Sequence, residues 1–355
     1  MKTMKTSLIL ICVLCSLFLF NACQTTKTFY IDYLNPAKIS FPEELKKIGI
    51  VNMVASDYTT QKTKPKWNND KALLLGDAAL LTESLAEHLA EANYFDEVVI
   101  YDSIIQSAQE EGFESQPLTT EEVNHLVDIL QVDFLVAVED ILLRAEKNEY
   151  LIGDFILSQL AVETKASMKA YLPNRASYIF KDQVSDTLYW DLNDPANYYI
   201  REKQLVEEAS IYAGERLASR LAPQWKTAER LLYIDGNKTL RKANSWVKEN
   251  QWDNAFKLWS DFYNASENVK NQMKAALNIA VYYEMKDDFE KAIHWATRAK
   301  DLAYKVDEIQ NTPSNLIYSA YHYFPIKSYL EVLEKRKQNK VQLEQQMSRF
   351  DNENN

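Results

Sequence analysis

Near Trp225 the hydrophobic pattern of this chain turns from a mixture of periods to helical spacing alone, and that change constrains the fold more than any single motif. Upstream, from Phe29 to about Pro223, strand-like alternation keeps switching with apolar residues at helical spacings of three and four. Downstream no β pattern is visible. The implied fold class is an α/β (or α+β) N-terminal domain over 29–223 followed by an all-α helical hairpin array over 225–335. Residues 336–355 are charged and Gln/Asn-rich, a polar tail that either extends the final helix or is disordered, with disorder favoured past Ser348. Glycine narrows the choice further, with 6 in 355 residues. The closest pair, Gly214 and Gly236, is 22 apart, so no glycine-rich phosphate loop can occur and no nucleotide partner is expected. A formal charge of −11 argues against a nucleic-acid partner, which needs a basic face.

Lys2 and Lys5 precede an apolar run from Leu8 to Phe20, with Asn21-Ala22-Cys23 after it. A charged flank, a short apolar core and a small residue before the cut make a secretory leader over 1–22. At 1.5 Å per residue the run reaches about 20 Å, short of the roughly 30 Å hydrocarbon slab. Phe20-Asn21-Ala22-Cys23 resembles a bacterial lipobox. That resemblance implies acyl chains on Cys23, a processed chain beginning there, and a tether over 23–28. The lipid bilayer is then a partner, held at about 0.8 kcal/mol per buried methylene. Removing the leader leaves Cys23 as the one remaining cysteine, which excludes disulfides and cysteine-based metal sites, and takes the charge to −13. Gln24–Thr28 carries no acidic run of the kind similar to the surface-export signal of Bacteroidota-type lipoproteins. The periplasmic face of the outer membrane is therefore favoured over the cell surface.

Within the first domain, 28–34 and 47–54 read as strands, 56–70 as a loop and 71–93 as a helix. A strand at 97–101 follows, then a helix opened by the capping box of Thr119 and Glu122. The apolar run 132–143 reads as a central strand. Two alternating runs around Pro173-Asn174 form a hairpin, and a helix over 201–221 ends at Pro223. Pro36–Val51 and the later VDFLVAVED resemble Bacteroidota lipoproteins of unknown function. The layout is similar to the α/β domain of the TolB N-terminal and curli-secretion lipoprotein class.

In the second domain Ala276, Ile279, Ala280, Tyr283, Ala292 and Ala299 stand at the offsets of a tetratricopeptide repeat, with Asp287-Asp288 as its turn. Ala243, Trp246, Ala255 and Phe262 form an earlier copy with Asn250-Gln251 as the turn. The resemblance implies that Ala243, Ala255, Ala280, Tyr283, Ala292 and Ala299 pack where paired helices meet. Ser314–Lys335, broken by Pro325, reads as a cap.

Catalytic signatures are scarce. His88, His125, His294 and His322 are far apart, and neither H-E-x-x-H nor G-x-S-x-G occurs. Glu139 and Asp140 are adjacent on a strand and point to opposite faces. Asp182, Asp186, Asp191 and Asp194 lack the spacing of a calcium loop. No cofactor and no metal site is expected. Tyr189, Trp190, Tyr198 and Tyr199 crowd one hairpin end, and Tyr318, Tyr321 and Tyr323 form a candidate binding surface. The function these features imply is a non-enzymatic, periplasm-facing outer-membrane lipoprotein that binds a protein or peptide partner through its repeats. The alternatives are an envelope glycan-binding protein or hydrolase using Tyr189–Tyr199, and a subunit of an export assembly.

Overall fold

The computed structural model describes residues 25–54, 68, 70–101, 116–153, 155–194, 201–311 and 320–350. In chain order the elements are β1 (Thr26–Asn35), β2 (Lys47–Asn52), β3 (Lys71–Leu75), α1 (Ala78–Glu91), β4 (Glu97–Tyr101), α2 (Thr120–Leu130), β5 (Phe134–Ile152), β6 (Phe155–Tyr171), β7 (Phe180–Asp191) and α3 (Glu202–Leu221). Then follow β8 (Gln224–Tyr233), α4 (Lys238–Lys248), α5 (Trp252–Ala265), α6 (Val269–Met285), α7 (Phe289–Val306) and α8 (Tyr323–Met347). An α/β region thus precedes a run of helices. The chain divides into an α/β unit, Leu34–Trp225 with Gln342–Asn355, and a helical unit, Met1–Tyr33 with Lys226–Val341.

The α/β unit is built on a six-stranded sheet of order β4-β2-β5-β6-β7, with β3 added to β5. Strand β2 runs parallel to β4 and β5, while β5, β6 and β7 form an antiparallel meander. Strand β5 uses one edge twice. Phe134–Val138 pair with β2, and Leu142–Glu146 pair antiparallel with β3. Its register with β6 shifts between Val138 and Asp140, a bulge at the change of partner.

One sheet face is covered by α1 and α3. Leu81, Leu85, Val206 and Leu217 pack there on Ile48, Val136, Leu143, Val162 and Met168. The helices cross at Gly214, where an added Cβ would lie 2.6 Å from the Leu81 carbonyl oxygen. On the other face α2 packs Val123 and Leu126 against Val51, Leu135, Ala137 and Tyr171. Its start is the expected capping box: Thr119 accepts from the Glu122 amide, and Glu122 accepts from the Thr119 amide.

Several elements differ from the sequence expectation. Residues 71–75 are strand β3, and the helix begins at Ala78, capped by Asp77, which accepts from the Leu80 amide. A short apolar run such as Ala72–Leu75 fits either period, and the β5 edge decides it. Strand β8 lies in the stretch read as purely helical, because Trp225–Tyr233 alternates only loosely. It pairs with β1, which places the strand read as the first of the α/β domain, up to Tyr33, in the helical unit. Of the two alternatives for the polar tail, its first part takes the helical one, α8 continuing to Met347. Of the loop expected at 56–70, all but Asn68 and Asp70 falls outside the described residues.

In the helical unit consecutive helices from α4 to α7 pack on each other. The turns α4–α5 and α6–α7 are built alike. Asn250 (φ 57°) and Asp287 (φ 53°) are left-handed. The next amide returns to the carbonyl five residues back, Gln251 N to Trp246 O at 2.8 Å and Asp288 N to Tyr283 O at 3.0 Å. These are Schellman closures, and each carries a polar αL residue where glycine is common.

Candidate functional site

A cavity of about 400 Å³ opens in the helical unit between β8, α6 and α8. Strand β8 contributes Leu231 and Tyr233, α6 contributes Leu277 and Val281, and the start of α8 contributes Ile326, Tyr329 and Val332. Alternation along β8 and helical spacing along α6 and α8 bring these apolar side chains to one place. The rim is apolar too: Tyr321 is 71% exposed, and Leu231 and Val332 are each 40% exposed. Large apolar groups left in water around an apolar cavity mark a surface that is covered when occupied.

The polar groups at the cavity are ordered. The Tyr233 hydroxyl and His322 Nδ1 are 2.7 Å apart, and both residues are buried. Burial pushes the Tyr233 phenol up and the His322 imidazole down, so both are neutral near pH 7. Asp307 accepts from the backbone amides of His322 and Tyr323, each at 2.8 Å, and fixes the entry into α8.

Beside the cavity, Glu284 is fully buried and holds a charge network. Arg230 donates through Nε and Nη2 to its two oxygens, both at 2.7 Å. Tyr329 donates to Oε2 at 2.8 Å, and Arg336 also pairs with Glu284. Burial works against the Arg230 charge, but the Glu284 hydrogen bond and charge outweigh it and hold the guanidinium above its ordinary value. The Tyr329 phenol is raised by burial and by Glu284. Arg336 also lies over the Tyr33 ring, 4.2 Å from its centroid. The network braces β8, α6 and α8 around the cavity; the cavity itself offers apolar surface and few hydrogen-bonding groups.

Ala243, Ala255, Ala280, Ala292 and Ala299 are all fully buried. Tyr283 is half-buried and meets the Phe256 ring at 5.4 Å. Of the tyrosine surface, Tyr321 stands on the cavity rim, whereas Tyr323 packs on Tyr304 at 5.6 Å. Tyr318 and Cys23 lie outside the described residues, as do Tyr198 and Tyr199. Tyr189 is 62% exposed on the open sheet face, and Trp190 turns away to donate to Glu208 at 3.0 Å.

Glu139 is buried against Lys169 at 2.5 Å. Asp182 pairs with Lys38 and Arg220, and Asp186 pairs with Arg216 and accepts from Tyr212. Each carboxylate thus faces its own cation, and among the described residues no group of three metal-binding side chains converges. The Arg230–Glu284–Arg336 network and the Tyr233–His322 pair escaped sequence reasoning. The one available signal was the crowding of aromatics around His322.

The fold defines a two-unit class, a mixed α/β sheet unit and an array of paired helices. The chain belongs to the family described as domain of unknown function (DUF8603), which matches residues 45–233. A second domain of unknown function, DUF6340, matches residues 241–335. No curated protein matches the chain. Among solved structures it is similar to a minor lipoprotein from Acinetobacter baumannii, at 9% identity over 50% of this chain and 87% of that one, with a TM-score of 0.24. It is also similar to the hypothetical protein CT253 from Chlamydia trachomatis, at 16% identity over 49% of this chain and 97% of that one, with a TM-score of 0.24. Superposition at that level does not define a shared fold.

Proposed function

We propose that the protein is a lipid-anchored, non-enzymatic protein of the bacterial envelope, held on the periplasmic face of the outer membrane through Cys23. Its helical unit acts as a scaffold of tetratricopeptide-like hairpins and receives an apolar side chain of a protein or peptide partner. The observation that carries this reading is the apolar cavity with its exposed apolar rim of Leu231, Tyr321 and Val332. The matching turns and the buried alanines of the two hairpins support the repeat assignment. No helix among the described residues is long and apolar enough to cross a membrane, and the lipobox supplies the anchor.

Affinity capture of the lipidated protein from envelopes, beside Tyr321→Ser and Val332→Trp, tests the site. A discrete partner recovered by the wild type and lost with both variants supports it. Recovery unchanged by either substitution overturns it. Cys23→Ser tests the anchor separately, and a variant still in the membrane fraction after salt and carbonate washes removes that part.

A second reading is favoured by the open sheet face. There Tyr189, Asn148, Arg144 and Glu163 line a concavity of about 690 Å³. Its charges are paired across strands, Lys71 with Glu146 at 2.8 Å and Arg144 with Glu163 at 3.5 Å. A neutral, aromatic-flanked surface of that kind suits a glycan. Tyr189→Ala would abolish retention on an envelope polysaccharide if this reading holds.

A further inference from the structure

The β5–β6 ribbon ends in an apolar tip that no function above uses. Leu151 is 77% exposed, Phe155 80%, Ile156 60% and Tyr150 47%. The ribbon is paired in register to Ile152↔Phe155, and Gly153 (φ 62°) stands in its two-residue turn. The last residue of β5 paired with β3 is Glu146, and the last of β6 paired with β7 is Gln159. Just past β7, Leu192 N and Asn193 Nδ2 donate to the carbonyls of Ser158 and Ile156 along one flank of the ribbon. About four residue steps therefore project beyond both neighbouring strands, a reach of about 13 Å at some 3.4 Å per residue.

We propose that this tip inserts into the headgroup–acyl boundary of a lipid bilayer. Cross-strand partners share a face, and successive residues alternate. Leu151 and Ile156 therefore stand on one face of the ribbon, and Tyr150, Leu157 and Phe155 on the other. Both faces are apolar at the same level. A protein partner docking on a strand covers one face, whereas a hydrocarbon boundary surrounds both. The reach matches the ~5–10 Å depth at which amphipathic elements lie in that boundary. From Tyr150 to Leu157 the sequence holds one charged residue, Asp154, and no lysine or arginine. Insertion is therefore driven by apolar transfer and needs no anionic lipid. The proposal rests on the lipid-anchor reading only in that the anchor keeps a bilayer at hand.

The test uses the chain from Gln24 onward, which has no cysteine and contains every described residue. Ile156→Cys, labelled with an environment-sensitive fluorophore, is mixed with vesicles of phosphatidylcholine alone. Glu87→Cys, on the exposed side of α1, serves as the control site. The expected result is a saturable blue shift at position 156 and none at position 87. Leu151→Ser with Phe155→Ser should raise the lipid needed for half-saturation at least tenfold, and Asp154→Asn should lower it. Leu151, Phe155, Ile156 and Glu87 are exposed, so unchanged circular dichroism is expected in the serine and cysteine variants. No shift at 156, or an equal shift at 87, overturns the proposal. So does a dimer that the serine substitutions dissociate, which would make the tip a contact between copies. Because the chain used carries no acyl group, its failure leaves the Cys23 anchor standing, and failure of the anchor leaves this result standing.

Discussion

Glu284 offers the sharpest perturbation in the helical unit. Its carboxylate receives two bonds of 2.7 Å from Arg230, one of 2.8 Å from Tyr329 and the Arg336 guanidinium. Both arginine side chains are only 8% exposed, so Glu284→Ala takes the carboxylate from buried Arg230 and leaves Arg336 its longer contact of 3.8 Å with Asp287. Removing one partner of a buried ion pair costs about 3–5 kcal/mol. Glu284→Gln keeps the shape and one acceptor but turns an amide N–H towards a guanidinium, a loss of about 2 kcal/mol. Replacing all three charges together, as Arg230→Met, Glu284→Leu and Arg336→Met, removes the desolvation penalty along with the attraction. The triple variant should therefore be more stable than Glu284→Ala alone. Urea unfolding followed by far-ultraviolet circular dichroism measures all three. A loss below about 1 kcal/mol for Glu284→Ala, or a triple variant less stable than that single one, would refute the reasoning.

Gly214→Ala should destabilise the α/β unit by about 1–3 kcal/mol, because the new methyl meets the α1 backbone at Leu81 O and Leu85 N; an unchanged unfolding midpoint contradicts this crossing. Ala280→Leu or Ala292→Leu adds three carbons to a fully buried site and should cost a similar 1–3 kcal/mol or so, read as lost helicity and a lower melting temperature. His322 has its pKa lowered by burial, so below about pH 6.5 the unfolded chain binds a proton that the folded one refuses. Stability of the helical unit should accordingly fall on acidification through that value, and His322→Asn should flatten the slope measured by urea unfolding between about pH 5 and 6.5. Gln346→Ala removes bonds of 3.0 Å to both the amide and the carbonyl of Ala37, and should cost about 1–3 kcal/mol in the α/β unit; wild-type stability would show that the end of α8 does not support it.

What the sequence made legible was local. The capping box of Thr119 and Glu122 acts within four residues, and the structure shows both of its bonds. The 47–54 and 97–101 strands were visible because their side chains are apolar on both faces, a pattern only a covered parallel strand requires. Where period alone was asked to decide a short run, it failed: Ala72–Leu75 and Arg230–Tyr233 owe their strand state to the edges of β5 and β1. The site was less legible still. Arg230 and Arg336 reach Glu284 across 54 and 52 residues, and Tyr233 reaches His322 across 89. In sequence Arg336 is one cation in a polar tail. In the folded chain its guanidinium carbon lies over the rings of Tyr33 and Phe289, 4.2 and 4.9 Å from their centroids. Arginine buries readily in such aromatic surroundings, which a tally of charged residues does not register.

The unit boundaries follow the same logic. A change of period at Trp225 separates strand-rich from helix-rich sequence, but a unit is defined by which elements pair. Strand β1 pairs with β8, so Thr26–Tyr33 complete the helical unit although they precede the whole α/β sheet. The end of α8 does the reverse. Gln346 bonds Ala37 across 309 residues, and Arg349 stacks over Tyr94 at 4.4 Å while donating to Leu45 O at 2.9 Å. Loop closure makes such contacts only slowly more costly with length, about 0.6 kcal/mol for each doubling, so a long return is thermodynamically tolerable. Its consequence is organisational: each unit joins stretches far apart in the sequence, Leu34–Trp225 with Gln342–Asn355 and Met1–Tyr33 with Lys226–Val341, so contacts of high sequence separation complete both. A fragment cut at Pro223 therefore keeps the sheet and loses the residues that cover Tyr94 and Ala37. A boundary read from periodicity alone marks a change of secondary structure and leaves open where a self-sufficient unit ends.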